Sequence, residues 1–352
     1  MNDVAVTPAA VTPRTLVFEF RGQAGQYFRI WIVNMVLSIL TLGIYSAWAK
    51  VRTKRYFYGS TVLDGASFEY HGTPWQILKG RLIAVAVIAA YYGASYVNPL
   101  AGFVFLGVWL VVLPWVANLS LRFNARVSSY RNVRFDFVGG YWRALLAFLV
   151  LPMLSPLTLF LLAPVAHRYL ARYLVQGYRF GGRPFSAELR FGRFYLIYLQ
   201  VAGTVLLGFL LLLGVMVVLP MPGRPQSTGM EIYFAFIPAI LLYTIALLAV
   251  PFVRAKVRNV VFNALVLEGG HRFASGLGPW RMAWIAFSNL LVIAVTLGLM
   301  TPWARIRVTR YVAERTAVYP ASDLSEFVSA LPQGQQAFGA ELADMAGVDI
   351  GI

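Results

Sequence analysis

The sequence predicts an all-α integral membrane protein: a polytopic helical bundle with internal repeats, plus small cytoplasmic β-hairpins. Three observations predict it. Hydrophobic residues make up 59% of the 352 positions and charged residues 12%, against about 45–50% and about 25% in soluble proteins; mean hydropathy is +0.67. A soluble fold of this size has too little interior for that much apolar side chain. Seven apolar stretches approach the roughly 20 residues that cross a bilayer core of about 30 Å. A basic, aromatic motif recurs after several of these stretches.

Residues 1–15 are polar, with Pro8 and Pro13, and lack the charged start and apolar core of a cleaved signal. This N-terminus is expected to be disordered, with the first apolar segment directing insertion. Residues 16–313 form the repeat-built transmembrane domain, with apolar segments at about 28–48, 82–97, 100–120, 144–164, 194–220, 232–253 and 282–302. Segments two and three join near Asn98-Pro99, and five and six near Pro220-Met221-Pro222-Gly223, so both pairs read as helical hairpins.

Lys/Arg counts bear on topology, because cytoplasmic loops collect them. Loops 49–81, 121–143, 165–193 and 254–281 hold six, five, six and five. If all seven segments cross, these divide equally between the two faces. If segments one, four and seven instead leave and return on one face, all four basic loops and both termini are cytoplasmic. Those three segments share Thr41-Leu42-Gly43, Thr158-Leu159-Phe160 and Thr296-Leu297-Gly298, and segment four adds Pro152 and Pro156. Gly and Pro are places where a membrane helix breaks, but mid-helix glycine is also common in ordinary spans. Both topologies stay open at this point.

The repeat is explicit. Trp48-Ala49-Lys50-Val51-Arg52-Thr53-Lys54-Arg55-Tyr56 reappears as Trp303-Ala304-Arg305-Ile306-Arg307-Val308-Thr309-Arg310-Tyr311, with looser copies from Trp115, Val165 and Phe252. Seven residues beyond each anchor stand Arg55, Arg122, Arg172, Asn259 and Arg310. Phe68-Glu69-Tyr70-His71-Gly72 resembles Phe135-Asp136-Phe137-Val138-Gly139 and Phe18-Glu19-Phe20-Arg21-Gly22, and Trp75, Trp142 and Trp280 each follow their Phe by seven. One unit is therefore used repeatedly: apolar helix or hairpin, basic helix end, tight β-hairpin, next helix. Asp64-Gly65 supplies the positive φ of such a turn, and Asn132 tolerates it too. Isolated hairpins are marginal, so several on one face are expected to pair into a small cytoplasmic sheet.

Residues 314–352 hold one Arg and six acids and form an acidic cytoplasmic tail. Asp323–Ala330 reads as a short helix capped by Ser322, and Ala337–Ala346 as another, with a solvated mobile tail as the alternative.

The chemistry is sparse. No Cys is present, which excludes disulfides and thiolate sites. His71, His167 and His271 occupy non-equivalent repeat positions, so no metal site is expected. No phosphate loop, dinucleotide fingerprint or nucleophile elbow occurs, so no cofactor, catalytic residue or enzyme activity is expected. The net charge of +16 lies beside apolar runs; it fits anionic lipid headgroups as partners and not nucleic acid. Arg52, Arg55, Arg122, Arg172, Arg307 and Arg310 are the candidate lipid or anion contacts, because guanidinium binds phosphate bidentately; plain positive-inside anchoring is the alternative. Trp48, Trp115 and Trp303 are candidate interfacial anchors. Asn34, Thr41, Asn289 and Thr296 are candidates for a polar path, or else interhelical hydrogen bonds.

Several stretches resemble the YjgN family of bacterial inner-membrane proteins, whose function is unknown: Phe18-Glu19-Phe20-Arg21-Gly22, the run Thr41–Arg52, Leu63-Asp64-Gly65, Pro302-Trp303-Ala304-Arg305 and the ending Val348-Asp349-Ile350-Gly351-Ile352. The resemblance implies a multi-pass protein of the bacterial inner membrane and supplies no site residues. Two functions are expected: handling of a solute or lipid through a repeat-built path, or a non-catalytic scaffold binding anionic lipid or a protein partner.

Overall fold

The computed structural model describes residues 15–218, 244 and 247–331. The expected disordered N-terminus up to residue 14, the turn at 220–223 and the helix at 337–346 lie outside these residues.

Five β-α-α-β units follow one another. The first runs from strands β1 (Leu16–Val17) and β2 (Glu19–Phe20) through helices α1 (Ala24–Leu40) and α2 (Ser46–Ser60) to β3 (Thr61–Leu63). The second is β4 (Ala66–Tyr70), α3 (Pro74–Val97), α4 (Pro99–Arg126) and β5 (Ser128–Tyr130). The third has β6 (Val133–Phe137), α5 (Tyr141–Leu145), a π turn (Leu146–Val150), α6 (Leu151–Leu157), α7 (Ala163–Gly177) and β7 (Tyr178–Phe180). The fourth has β8 (Arg183–Ala187), α8 (Phe191–Val218), α9 (247–262) and β9 (Leu265–Leu267). The fifth has β10 (His271–Ser275), α10 (Pro279–Val295), α11 (Thr301–Glu314) and β11 (Thr316–Tyr319); α12 (Leu324–Ser329) follows.

The expectation of an all-α bundle with small cytoplasmic hairpins, some pairing into a small sheet, is corrected here. All eleven strands join one antiparallel sheet in the order β1-β11-β10-β9-β8-β7-β6-β5-β4-β3-β2. Its two ends, β1 and β2, are halves of one extended segment. Leu16 pairs with Val318 on one side while Glu19 pairs with Val62 on the other, so the sheet closes almost completely into a barrel. A free hairpin presents unpaired N–H and C=O groups along its edges; closure removes those edges. Most of the apolar segment expected at 232–253 lies outside the described residues. Among the described residues three helices are long and apolar enough to cross a membrane: Pro74–Val97, Pro99–Arg126 and Phe191–Leu211.

The turns between units have the backbone that their sequences require. Asp64 and Gly65 have φ of 47° and 74°, and Arg131 and Asn132 have 49° and 64°, as in two-residue hairpins whose twist matches the strands. Charges tie neighbouring turns together: Arg131 to Asp64 at 2.7 Å and Arg183 to Glu268 at 3.1 Å. Inside the barrel the recurring phenylalanines meet. Phe18, Phe68, Phe135, Phe185 and Phe273, one from each unit, pack against a single core with Tyr130, Phe180 and Val318. The interior is packed apolar side chain. Helix α12 closes one end: Leu324 and Leu331 are buried in the same core with Phe327 and Val328 against it. The tail expected from Asp323 to Ala330 is thus helical over Leu324–Ser329 and docked on the barrel.

The shared Thr-Leu motifs are reversals. Leu42 and Gly43, Leu159 and Phe160, and Leu297 and Gly298 all have positive φ. The Thr41 hydroxyl donates to Leu37 O at 2.7 Å and accepts from Tyr45 N at 2.9 Å, closing α1 and opening α2. Thr158 and Thr296 do the same in their hairpins. Each αα excursion begins and ends on paired strands: β2 with β3, β4 with β5, β6 with β7, β8 with β9 and β10 with β11 are all joined through the sheet. In this structure segments one, four and seven therefore turn back toward the barrel.

Candidate functional site

Repeat arithmetic places one cationic side chain at the barrel end of most second helices, and packing gives each a task. The strand-to-helix loop of every unit leaves carbonyls outside the ladder, and buried carbonyls need donors. Arg55 of α2 reaches Gly72 O at 3.5 Å, Arg122 of α4 reaches Phe137 O at 3.3 Å, and Arg310 of α11 reaches Gly22 O at 2.9 Å. Where the arginine is replaced, Asn259 of α9 donates to Leu277 O at 2.8 Å and accepts from Leu277 N at 3.0 Å. In the third unit Arg168, not Arg172, donates to Leu189 O at 2.6 Å. Each unit is latched to the next, and Arg310 latches the last to the first.

At that last junction α10, α11 and the start of α1 line an open-sided cavity of about 700 Å³. Gln23, Ala24, Arg281, Trp284, Ile285, Trp303, Ile306, Arg307, Arg310, Tyr311 and Glu314 line it. Three guanidinium groups face one carboxylate there. Arg307 is held from behind: Nη1 donates to Ser288 Oγ at 2.7 Å and to Asn289 Oδ1 at 3.1 Å, and its guanidinium lies 5.1 Å from the Trp303 ring centroid. Arg281 lies over the Tyr311 ring at 5.3 Å. A guanidinium has five N–H donors, so fixing one nitrogen of Arg307 and one of Arg310 leaves donors for an anion.

The structure thus brings together Arg307, Arg310 and Trp303 of the expected contacts, with Asn289 as the support of Arg307. The others are apart. Arg52 and Arg172 are exposed on α2 and α7. Trp48 meets Trp75 edge-on at 5.5 Å, and Trp115 is exposed on α4. Of the candidate polar path, Thr41 and Thr296 cap helix reversals, and Asn289 also donates to Ala304 O at 3.3 Å. Asn34 is buried with neither amide atom hydrogen-bonded. None of these four lines the cavity. Sequence reasoning missed Arg281, Trp284 and Tyr311. Arg281 directly follows the repeat's Trp280, a position that would have drawn attention to it had the loop charges been placed on the repeat one by one.

A second polar centre sits at the capped barrel end. His271 is 1% exposed; its Nδ1 accepts from Ala321 N at 3.3 Å, its ring centroid is 4.3 Å from that of Phe327, and Nε2 has no partner. Burial pushes its pKa below the usual 6.5. Among the described residues no group of three His, Asp or Glu is placed to hold a metal ion.

Comparison with known proteins agrees with the repeat-level resemblance. The protein called inner membrane protein YjgN in Salmonella typhimurium strain LT2 is 26% identical over 360 residues, covering 90% of this chain and 91% of that protein. The protein of that name in Escherichia coli strain K12 is 36% identical over 129 residues, 36% of this chain and 32% of that one. No solved structure matches. The family of bacterial proteins of unknown function designated DUF898 matches residues 15–345, and the chain belongs to that family.

Proposed function

We propose that this protein is a multi-pass protein of the bacterial inner membrane, with its barrel and basic helix ends on the cytoplasmic side. In this reading it works without catalysis, as a scaffold that grips anionic headgroups. The observation that carries the proposal is the return of every αα excursion to one barrel. That geometry gathers all the basic loops on a single face, where the positive-inside rule wants them. The name of the Salmonella relative supports the membrane. A conduit is the weaker reading, because the barrel interior is packed with phenylalanine and the candidate path threonines are engaged in helix reversals. Helix α1, at 17 residues, is about 25 Å long, short of a full crossing, and fits a re-entrant hairpin.

Single cysteines test this cleanly, since the chain has none of its own. Ser67→Cys, Val138→Cys and Ser186→Cys lie on exposed positions at the barrel, and Tyr96→Cys on an exposed tip between α3 and α4. In intact cells an impermeant maleimide is expected to reach Cys only at position 96. Labelling at 138 and 186 on opposite faces would contradict the arrangement.

A further inference from the structure

We infer that the cavity between α1, α10 and α11 is a binding site for one phosphate-bearing, net-anionic lipid headgroup, opened by a glycine. The second residue of each unit's first helix is Trp75, Trp142 and Trp280 in three units, but Gly192 in the fourth and Gly25 in the first. In two of the tryptophan units that ring covers the repeat's anchor residue on the preceding helix: Trp75 packs on Trp48 at 5.5 Å, and Trp280 on Phe252 at 5.0 Å. At the junction of the last and first units Gly25 stands there instead, with nothing within 4 Å of where a Cβ would lie. Trp303 is consequently left facing the cavity.

The charge is also particular to this junction. Arg281, Arg307 and Arg310 correspond to Gln26, Arg52 and Arg55 in the first unit and to Gln76, Leu119 and Arg122 in the second. They correspond to Arg143, Tyr169 and Arg172 in the third, and to Arg193, Lys256 and Asn259 in the fourth. Only the fifth unit has arginine at all three places. Planar guanidinium groups suit phosphate oxygens bidentately.

The lining changes character along its length. Arg281 and Arg310 lie at the barrel end, while Trp303 lies seven residues further out on α11, about 10 Å along the helix. An ionic end followed by aromatic surface matches a phosphate head with the start of its acyl chains, as aromatic residues do at membrane interfaces. The inference rests on the proposed membrane reading, but its test in detergent does not depend on which way the chain faces, so cysteine labelling and lipid binding fail separately.

The test uses the full chain, delipidated in detergent and titrated with phosphatidylglycerol, phosphatidylcholine and soluble glycerol 3-phosphate, with complexes counted by native mass spectrometry. Wild type is expected to retain one phosphatidylglycerol in preference to phosphatidylcholine. Gly25→Trp is expected to abolish that retention, and Gly192→Trp to leave it intact. Arg281→Gln is expected to weaken it roughly tenfold, the loss of one charge-assisted contact. Equal phosphatidylglycerol affinity in wild type and Gly25→Trp overturns the site. If Gly25→Trp does not fold, equal affinity in Arg281→Gln overturns it instead. Displacement of the lipid by equimolar glycerol 3-phosphate assigns the cavity to a soluble phosphate ester and overturns the lipid.

Discussion

Replacing Phe137 with alanine is expected to cost about 3–5 kcal/mol, the range for deleting a fully buried aromatic ring. Phe137 ends β6 with no exposed surface. Its ring meets Tyr173 at 5.7 Å and Tyr178 at 5.2 Å, both edge-on. Two glycines are kept free of side chain to admit it: a Cβ at Gly177 would fall 2.2 Å from the ring, and one at Gly139 2.6 Å from it. The surrounding backbone is therefore shaped around the ring and has little room to collapse into the hole. The same residue's carbonyl takes the Arg122 latch, so the loss falls where barrel and helices meet. Trp142, five residues on, is the control: it is 72% exposed, and Trp142→Ala is expected to be near neutral in detergent. Thermal unfolding followed by size-exclusion chromatography should show a midpoint roughly 5 °C lower for Phe137→Ala. Equal midpoints for the two variants would mean that β6 is not packed as described.

Acidification is expected to release the C-terminal helix from the barrel. His271 has its Nδ1 occupied as an acceptor by the Ala321 N–H and its Nε2 enclosed without a partner. Protonation turns Nδ1 into a donor facing another donor and puts a charge in a buried place. Burial lowers the pKa of this imidazole from 6.5, so the docked state binds fewer protons than the undocked state. The contribution of this contact to docking is full above about 6.5 and is lost as pH falls toward the lowered value. Charged groups on the surrounding elements are Arg272 of β10, the Arg183–Glu268 pair at the β9–β10 turn, and Asp323 and Glu326 at α12. The acids favour an imidazolium and the guanidiniums oppose it. Limited proteolysis within 320–331 should accelerate between pH 7.5 and 5.5 in wild type, and His271→Phe should lose that dependence. A pH-independent cleavage rate in wild type would remove His271 from the latch.

Much of this architecture was legible in the sequence because its determinants are local. Trp48 to Tyr56 and Trp303 to Tyr311 announce the repeat by spacing. Asp64-Gly65 announces a turn because few residues accept positive φ. The Thr-Leu-Gly runs mark reversals, where a threonine hydroxyl serves both helix ends across four residues. Barrel closure was not legible. It depends on residues 16–20 pairing with 61–62 on one side and 317–318 on the other, and no local pattern encodes a partner some 300 positions away. Segments three and five read as spans because length and hydropathy suffice for that, whereas segment one reads the same way until its return path is seen. At the candidate site, Arg307, Arg310 and Trp303 were visible as repeat positions. Arg281 was hidden among loop charges, and the role of Gly25 shows only when the rings that replace it elsewhere are seen packed.

The central claim is that one strand at the start of the chain joins the first and last units and closes the sheet. Two cysteine pairs test it in a chain with no native thiol: Val17→Cys with Ala317→Cys, and Glu19→Cys with Val62→Cys, each directly opposed across the ladder. Opposed Cβ atoms in antiparallel strands lie about 4.5–5.5 Å apart, near enough for a disulfide with slight adjustment. Mild oxidation of native membranes is expected to form both links within single chains, in separate variants and in the quadruple variant alike. Formation of only one link in the quadruple variant, or links only between chains, would contradict a closed barrel.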